Sequence, residues 1–179
     1  HADQTHGINE LRPFYWIRGK KIDIYSSSRT INYLMKTFSY CFKKQHHYKP
    51  IFKPNIVNES FSLGRKKDRI KFETIKVNHG KIKSLGYIFE NVAYISDCNG
   101  ISKTVLNKMT NLNTLIIDCL KIEKHPTHFS LNEVLRLNEI LKPRKTILTN
   151  LHSDLDFNFL LKKLPRNVKP AYDGLKINL

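Results

Sequence analysis

Imidazole and carboxylate side chains stand where predicted strands give way to loops, the usual place for sites in layered α/β folds. His79, Asp97 and His152 each come at or just after the end of a predicted strand. His1 and Asp3 are two residues apart, so both can face one ion from an extended or turning segment. Neutral imidazole and carboxylate together suit Zn, Mn or Fe. We therefore predict a metal site, in which two ions sharing a carboxylate would activate a water and polarise a phosphoryl oxygen.

A thiol nucleophile is the poorer alternative. Cys98 adjoins Asp97 and Cys119 follows Asp118, but no local base pairs with either thiol as nucleophilic catalysis requires. We expect both cysteines to pack as small buried residues. Glycine is too sparse for a phosphate-cradling loop, and no Walker or dinucleotide-binding pattern is present.

The helix that follows two loop histidines has the clearest boundaries in the chain. Ser130 and Glu133 have the spacing of a capping box, in which the Glu side chain reaches back to the first residue. An apolar stripe follows, and Pro143 lies just past the helix end. His125 and His128 therefore lie in the loop that leads into a well-defined helix.

The remaining elements follow from hydrophobic periodicity. Residues 1–7 read as a polar loop, residues 8–16 as a short helix broken by Pro13, and residues 43–60 as an irregular connection. A tight turn at Glu90-Asn91 joins two strands. We predict strands over 21–25, 70–77, 85–89, 92–96, 114–120 and 146–149, helices over 28–42, 101–109 and 155–164, and short terminal strands at Val168 and Ile177. Early hairpins followed by strand–helix alternation indicate an α/β layered fold.

Composition and charge bound the class of protein. The chain has 179 residues, 40% hydrophobic and 26% charged, which is an ordinary globular composition. No apolar run is long enough for a membrane span, and no segment reads as a signal peptide. Three widely spaced cysteines favour a reducing, cytoplasmic setting over a disulfide framework. The formal charge of +16 comes mainly from lysines scattered along the chain, so we attribute it chiefly to compositional bias and secondarily to attraction of phosphate.

The order of these motifs resembles the metallo-β-lactamase superfamily, in its phosphoribosyl 1,2-cyclic phosphate phosphodiesterase branch. The segment 1–7 is similar to the tail of the superfamily signature His-X-His-X-Asp-His. The third and fourth superfamily motifs are similar to residues 78–80, 84–87 and 94–99. The C-terminal section of that branch is similar to residues 125–130, 147–156 and 170–174.

The resemblance implies a role for each candidate residue. It makes His1 and His79 ligands of a first divalent ion, Zn or Mn, and Asp97 a bridge to a second. Asp3 and His152 would serve the second ion, with Asn150 as the alternative aligned position. His128 resembles a histidine that acts as an acid or orients the phosphate, so Asp3 and His128 are the predicted catalytic residues. A metal-bound hydroxide would then hydrolyse a phosphodiester.

The sequence also departs from the signature. Gln4 stands where the signature has His, and an amide is a poor substitute for imidazole on Zn or Mn. The first signature His would precede residue 1, as would several strands. We therefore expect an αββα sandwich that is incomplete at its N-terminal side, with 1–179 as the C-terminal portion of a single domain. A separate N-terminal fragment or a homodimer could cover the face left open.

Three hypotheses about function follow. The first is a metal-dependent phosphodiesterase acting on a phosphate-ester substrate. The second is a catalytically impaired fragment of such an enzyme, from a split gene or a pseudoenzyme, because of Gln4 and the absent N-terminal strands. The third, with the weakest support, is a basic RNA-binding module, whose binding would weaken steeply with salt.

Overall fold

The structure, a computed structural model, describes residues 1–178. The chain divides into two compact units, residues 1–58 and a second unit that begins at Glu59. The α/β class is confirmed, because helices alternate with parallel strands in both units. The extent of a single domain over 1–179 stays a prediction. Among residues 1–178, no helix has the length and apolar character needed to cross a bilayer.

The first unit contains two parallel strands and several short helices. In chain order its elements are α1 (Ala2–Thr5), a 3-10 helix (His6–Leu11), α2 (Arg12–Arg18), β1 (Ile22–Ser26), α3 (Ser28–Thr37), α4 (Ser39–Phe42) and β2 (Phe52–Ile56). Strands β1 and β2 pair in register from Ile22 with Phe52 to Ser26 with Ile56. The buried core of the unit is formed by Ile8, Leu34, Cys41, Phe42, Ile51 and Phe52.

Three predictions for this unit need correction. Residues 1–7 are not a loop, since a helical turn spans Ala2–Thr5. Residues 43–60 are not wholly irregular, because they include β2. Pro54 lies inside β2, which pairs with one neighbour in a two-stranded sheet and so leaves one side without ladder bonds. Pro13 does not break a helix but lies in the first turn of α2, where a missing N–H costs nothing.

The second unit is built on a seven-stranded sheet. Its strands are β3 (Ser60–Leu63), β4 (Ile70–His79), β5 (Ile82–Phe89), β6 (Val92–Ile95), β7 (Thr114–Asp118), β8 (Lys145–Thr149) and β9 (Val168–Pro170). They follow one another across the sheet in chain order, antiparallel from β3 to β6 and parallel from β6 to β9. The carboxyl ends of β4, β6, β7 and β8 therefore meet at one edge.

Three α-helices accompany this sheet, α5 (Lys103–Leu106), α6 (Leu131–Leu141) and α7 (Phe157–Lys163), and a 3-10 helix (Lys66–Asp68) lies between β3 and β4. Their apolar side chains join one core with the alternate residues of the strands, such as Ile75, Ile95, Leu115 and Leu148. The strand and helix predictions in this unit are confirmed to within a few residues, except that the helix predicted over 101–109 is a single turn. Ile177 forms no strand within the described residues.

Two local features behave as their residue types predict. Glu90 and Asn91 both have positive φ, 44° and 61°, the pattern of a tight hairpin turn. Before α6, the Glu133 carboxylate accepts hydrogen bonds from the Ser130 N–H at 2.9 Å and hydroxyl at 2.7 Å. Burial opposes ionisation of Glu133, but these bonds outweigh it and lower its pKa.

Removing this cap should destabilise the second unit in a pH-dependent way. We expect Glu133→Ala to lower the free energy of unfolding by about 1 kcal/mol at pH 7. Because the pKa of Glu133 is lower in the folded state, its contribution is present above the unfolded pKa and is lost as pH falls through the folded one. Urea unfolding at pH 7 and below about pH 4 measures the difference. Glu139→Ala, at an exposed position on the same helix, is the control; equal losses for both variants would contradict the role of the cap.

Candidate metal centre

Polar side chains lie at or just after the carboxyl ends of four strands, at one edge of the large sheet. His79 is the last residue of β4 and Asp118 the last of β7. Asp97 comes two residues after β6, and Asn150 comes directly after β8. Parallel orientation of these strands brings together residues that are far apart in the sequence.

Three side chains at this edge could hold a metal ion. One ligand atom each of His79, Asp97 and His128 lies within 4.8 Å of the others. Two imidazoles and one carboxylate form a donor set that suits Zn, Mn or Fe. The residues present therefore fit a divalent ion.

One ring nitrogen of His79 is engaged by the backbone, which leaves the other for a metal ion. Its side chain is buried, and its Nδ1 donates to the backbone carbonyl of Thr127 at 2.7 Å. This bond fixes the tautomer, because a carbonyl can only accept, and it leaves Nε2 as the ring's acceptor atom. Gly80 turns the chain immediately afterwards with φ of 58°, and a Cβ there would lie 2.7 Å from Thr127 Cγ2.

Asn99 ties the end of β4 to the loop that carries His128. Its Oδ1 accepts from the Gly80 N–H at 3.0 Å, and its Nδ2 donates to the Pro126 carbonyl at 2.7 Å. His79 and His128 have ring centroids 4.8 Å apart. The two imidazoles therefore lie on segments that one amide side chain joins.

His128 is oriented by a buried carboxylate. Its Nδ1 lies 2.7 Å from Asp118 Oδ2, and Asp118 has no exposed surface. The Cys98 N–H donates to the same oxygen at 2.9 Å. Burial raises the pKa of Asp118, while the bonds from Cys98, His128 and Asn150 act in the opposite direction. Asp118 thus holds the His128 imidazole in one orientation, with the same Nδ1 4.0 Å from Asp97 Oδ1.

The strand-end position after β8 is filled by Asn150, not His152. The Asn150 amide lies 3.2 Å from Asp118 Oδ1 and 3.5 Å from Asp97 Oδ1. His152 is half exposed and pairs with Asp154, whose Oδ1 is 2.9 Å from the imidazole Nδ1. Within residues 1–178 the structure brings together His79, Asp97 and His128 and does not group His152 with them, and the metal role of His152 stays a prediction.

The other predicted ligands belong to the first unit. Asp3 lies in α1 and His1 is the residue before it. The Asp3 carboxylate accepts from Gln4 Nε2 at 3.4 Å, and the His1 carbonyl accepts from the Thr5 hydroxyl at 2.8 Å. The metal roles of His1 and Asp3, and the catalytic role of Asp3, stay predictions.

Sequence reasoning missed two residues of this site. Asp118 has the same sequence signal as Asp97, since it too lies at the end of a buried strand. Asn99 lies within the motif-like segment 94–99, but the resemblance assigns it no role. His125, whose ring centroid is 5.3 Å from that of His128, lies beside the cluster. Slight burial and the neighbouring His128 and Lys121 lower its pKa.

Comparison with known proteins agrees with this geometry. The sequence profile of the beta-lactamase superfamily domain matches residues 1–150. The chain belongs to this superfamily. It is also 22% identical over 179 residues to an octanoyltransferase of Porphyromonas gingivalis (strain ATCC BAA-308 / W83), covering 98% of the chain but 36% of that protein. The chain thus spans about a third of the length of this curated relative, and the name of the relative assigns no activity to the matched part.

Solved structures show the same fold. A diphosphatase from the PhnP family superposes with a TM-score of 0.87 and 28% identity, over 99% of this chain and 66% of that one. The metallo-β-lactamase fold protein YhfI from Bacillus subtilis follows with a TM-score of 0.71 and 16% identity, over 98% of this chain and 73% of that one. Zn-bound PqqB from Methylobacterium extorquens has a TM-score of 0.69 and 11% identity, over 90% and 66% of the two chains. The expected metallo-β-lactamase fold is therefore confirmed.

The buried His128–Asp118 pair should contribute far more to stability than the exposed His152–Asp154 pair. We expect Asp118→Ala to lower the free energy of unfolding by about 2–3 kcal/mol, because the Cys98 N–H and His128 Nδ1 lose a buried acceptor. Asp154→Ala should cost less than about 1 kcal/mol, as exposed ion pairs do. Urea unfolding at pH 7 compares the two variants. Similar losses in the free energy of unfolding would show that the buried pair contributes no more to stability than the exposed pair.

The three cysteines should be inert in the folded protein. Cys41, Cys98 and Cys119 are free and have no exposed surface, which confirms for Cys98 and Cys119 that they pack as small buried residues. Burial raises the pKa of Cys98 and of Cys119 to about 12. We expect a thiol reagent such as DTNB to label no cysteine in buffer and three in guanidinium chloride. Rapid labelling of the native protein would reopen the thiol-nucleophile alternative.

Proposed function

We propose that this chain is a metal-dependent hydrolase of phosphate esters, a phosphodiesterase, that holds a divalent ion on His79, Asp97 and His128. The observation that carries the proposal is the convergence of these three ligand atoms within 4.8 Å. They lie at the carboxyl edge of the parallel strands, where α/β folds place their sites. A bound ion would supply a Lewis acid that polarises a phosphoryl oxygen.

The protein's own residues prepare this chemistry. The Thr127 carbonyl fixes the tautomer of His79, and Asp118 fixes the orientation of His128. His79 thereby keeps Nε2 as its acceptor atom, and His128 is held in one ring orientation. Ligands held in advance in this way lose little conformational freedom when an ion or a phosphate binds.

Charge supports an anionic substrate. The chain has a formal charge of +16, and net positive charge favours encounter with anionic substrates. Lys121 lies close enough to His125 to act on its pKa, and His125 packs beside His128. Lys81 and Lys83 come two and four residues after His79 in the sequence. The similarity to a structure described as a diphosphatase also favours a phosphate ester.

Catalytic impairment is the second candidate function. Its motivation is Gln4, an amide where the resembling signature carries a histidine. Such a chain would bind a divalent ion at the cluster of His79, Asp97 and His128 and yet fail to turn over a phosphodiester. The same experiment therefore separates the two candidates.

The test measures metal binding and turnover on the same sample. We expect Mn²⁺ or Zn²⁺ to bind by isothermal titration calorimetry and to support hydrolysis of bis(p-nitrophenyl) phosphate. His79→Ala should weaken both by more than about 100-fold, because loss of a ligand exceeds the 10–100-fold cost of losing its supporting partner. His47→Ala, at an exposed histidine of the first unit, is the matched control.

Each outcome decides one point. A folded protein that binds neither ion would refute the proposal, and one that binds an ion without turnover would favour the impaired enzyme. His128→Ala separates two roles for this imidazole. Loss of metal affinity makes it the third ligand, whereas loss of turnover at full affinity makes it the phosphate-facing residue that the resemblance implies.

A further inference from the structure

One amide side chain lies between two carboxylates at the candidate metal centre. Asn150 Nδ2 is 3.2 Å from Asp118 Oδ1, 3.5 Å from Asp97 Oδ1 and 3.4 Å from the Ser96 carbonyl oxygen. It is also 3.5 Å from His128 Nδ1. These contacts reach the ends of β6 and β7 and the loop after β7, although Asn150 itself follows β8.

The backbone at this position is suited to asparagine. Asn150 has φ of 63°, in the left-handed region that most residues with a Cβ avoid. Asparagine adopts this conformation several-fold more often than other residues. The chain therefore turns directly after β8 at little cost, with the amide beside both carboxylates.

A neutral donor is what this position needs. Two carboxylate oxygens within 3.5 Å of the same nitrogen are close enough to repel each other, most strongly where water is excluded. A carboxamide offers two N–H donors and does not ionise. Asn150 can therefore hold both Asp97 and Asp118 without adding a charge to the site.

We infer that Asn150 is a positioning residue that holds Asp97 ready for the metal ion and braces the Asp118–His128 pair. The inference rests on the proposed function, since it takes Asp97 and His128 as ligands. The Asn150 amide then restrains the positions of two of the three proposed ligands, Asp97 by a direct contact and His128 through Asp118. Partners that orient metal ligands in this way typically change metal affinity by 10–100-fold when they are removed.

The test removes the amide and keeps the backbone. Asn150→Gly tolerates the positive φ and eliminates both N–H donors. Asn111→Gly is the matched control, because Asn111 also has positive φ, 58°, and lies in an exposed turn. We expect the Kd for Mn²⁺ or Zn²⁺, by calorimetry, to rise at least about 10-fold in Asn150→Gly and to stay unchanged in Asn111→Gly. Thermal melting of the metal-free proteins measures stability separately.

The outcomes distinguish this inference from the proposed function. If the wild-type protein binds neither ion, the proposed metal centre is wrong and the inference falls with it. If the wild type binds and Asn150→Gly binds equally well, only the inference is overturned, even when the melting temperature falls. Should Asn150→Gly fail to fold, Asn150→Ser replaces it; this shorter side chain with one donor should also weaken binding, and wild-type affinity would overturn the inference.

Discussion

A carboxylate with no access to water lies at the centre of the candidate site, and its neighbours are arranged to satisfy it. Asp118 is fully buried at the end of β7. An unpaired charge in such a place would cost several kcal/mol, so it requires donors from the surrounding protein. The Cys98 backbone, the His128 imidazole and the Asn150 amide supply them. Three segments of the chain thus meet at one side chain.

This constraint accounts for the orientation of the side chains around Asp118. His128 is turned by its bond to Asp118, and Asp97 is one residue before the Cys98 N–H that donates to the same carboxylate. His79 is fixed independently, through the Thr127 carbonyl. The three residues that could hold an ion are therefore each restrained by hydrogen bonds beside them, as preorganised metal sites require.

Much of the fold could be predicted from local sequence signals. The site could be predicted only in part, because it depends on contacts between residues far apart in the sequence. The cap at Ser130 and Glu133 and the turn at Glu90-Asn91 depend on residues close in sequence, so residue type sufficed. The strand over 52–56 has no clear local signal, because it pairs with β1 about 30 residues away and contains Pro54. The partners of Asp118 lie 20, 10 and 32 residues away, which no local pattern reveals.

The position after β8 shows how geometry sharpens a resemblance. The motif order left Asn150 and His152 as alternatives for one ligand position. The left-handed backbone at Asn150 turns the chain, after which the His152 N–H donates to the Leu120 carbonyl and its imidazole pairs with Asp154. The amide therefore takes the place beside Asp97 and Asp118. An amide oxygen is a weaker ligand for Zn or Mn than imidazole, whereas an amide N–H is a good donor to carboxylates. The side chain of Asn150 is therefore better suited to holding the neighbouring carboxylates in place than to binding the ion itself.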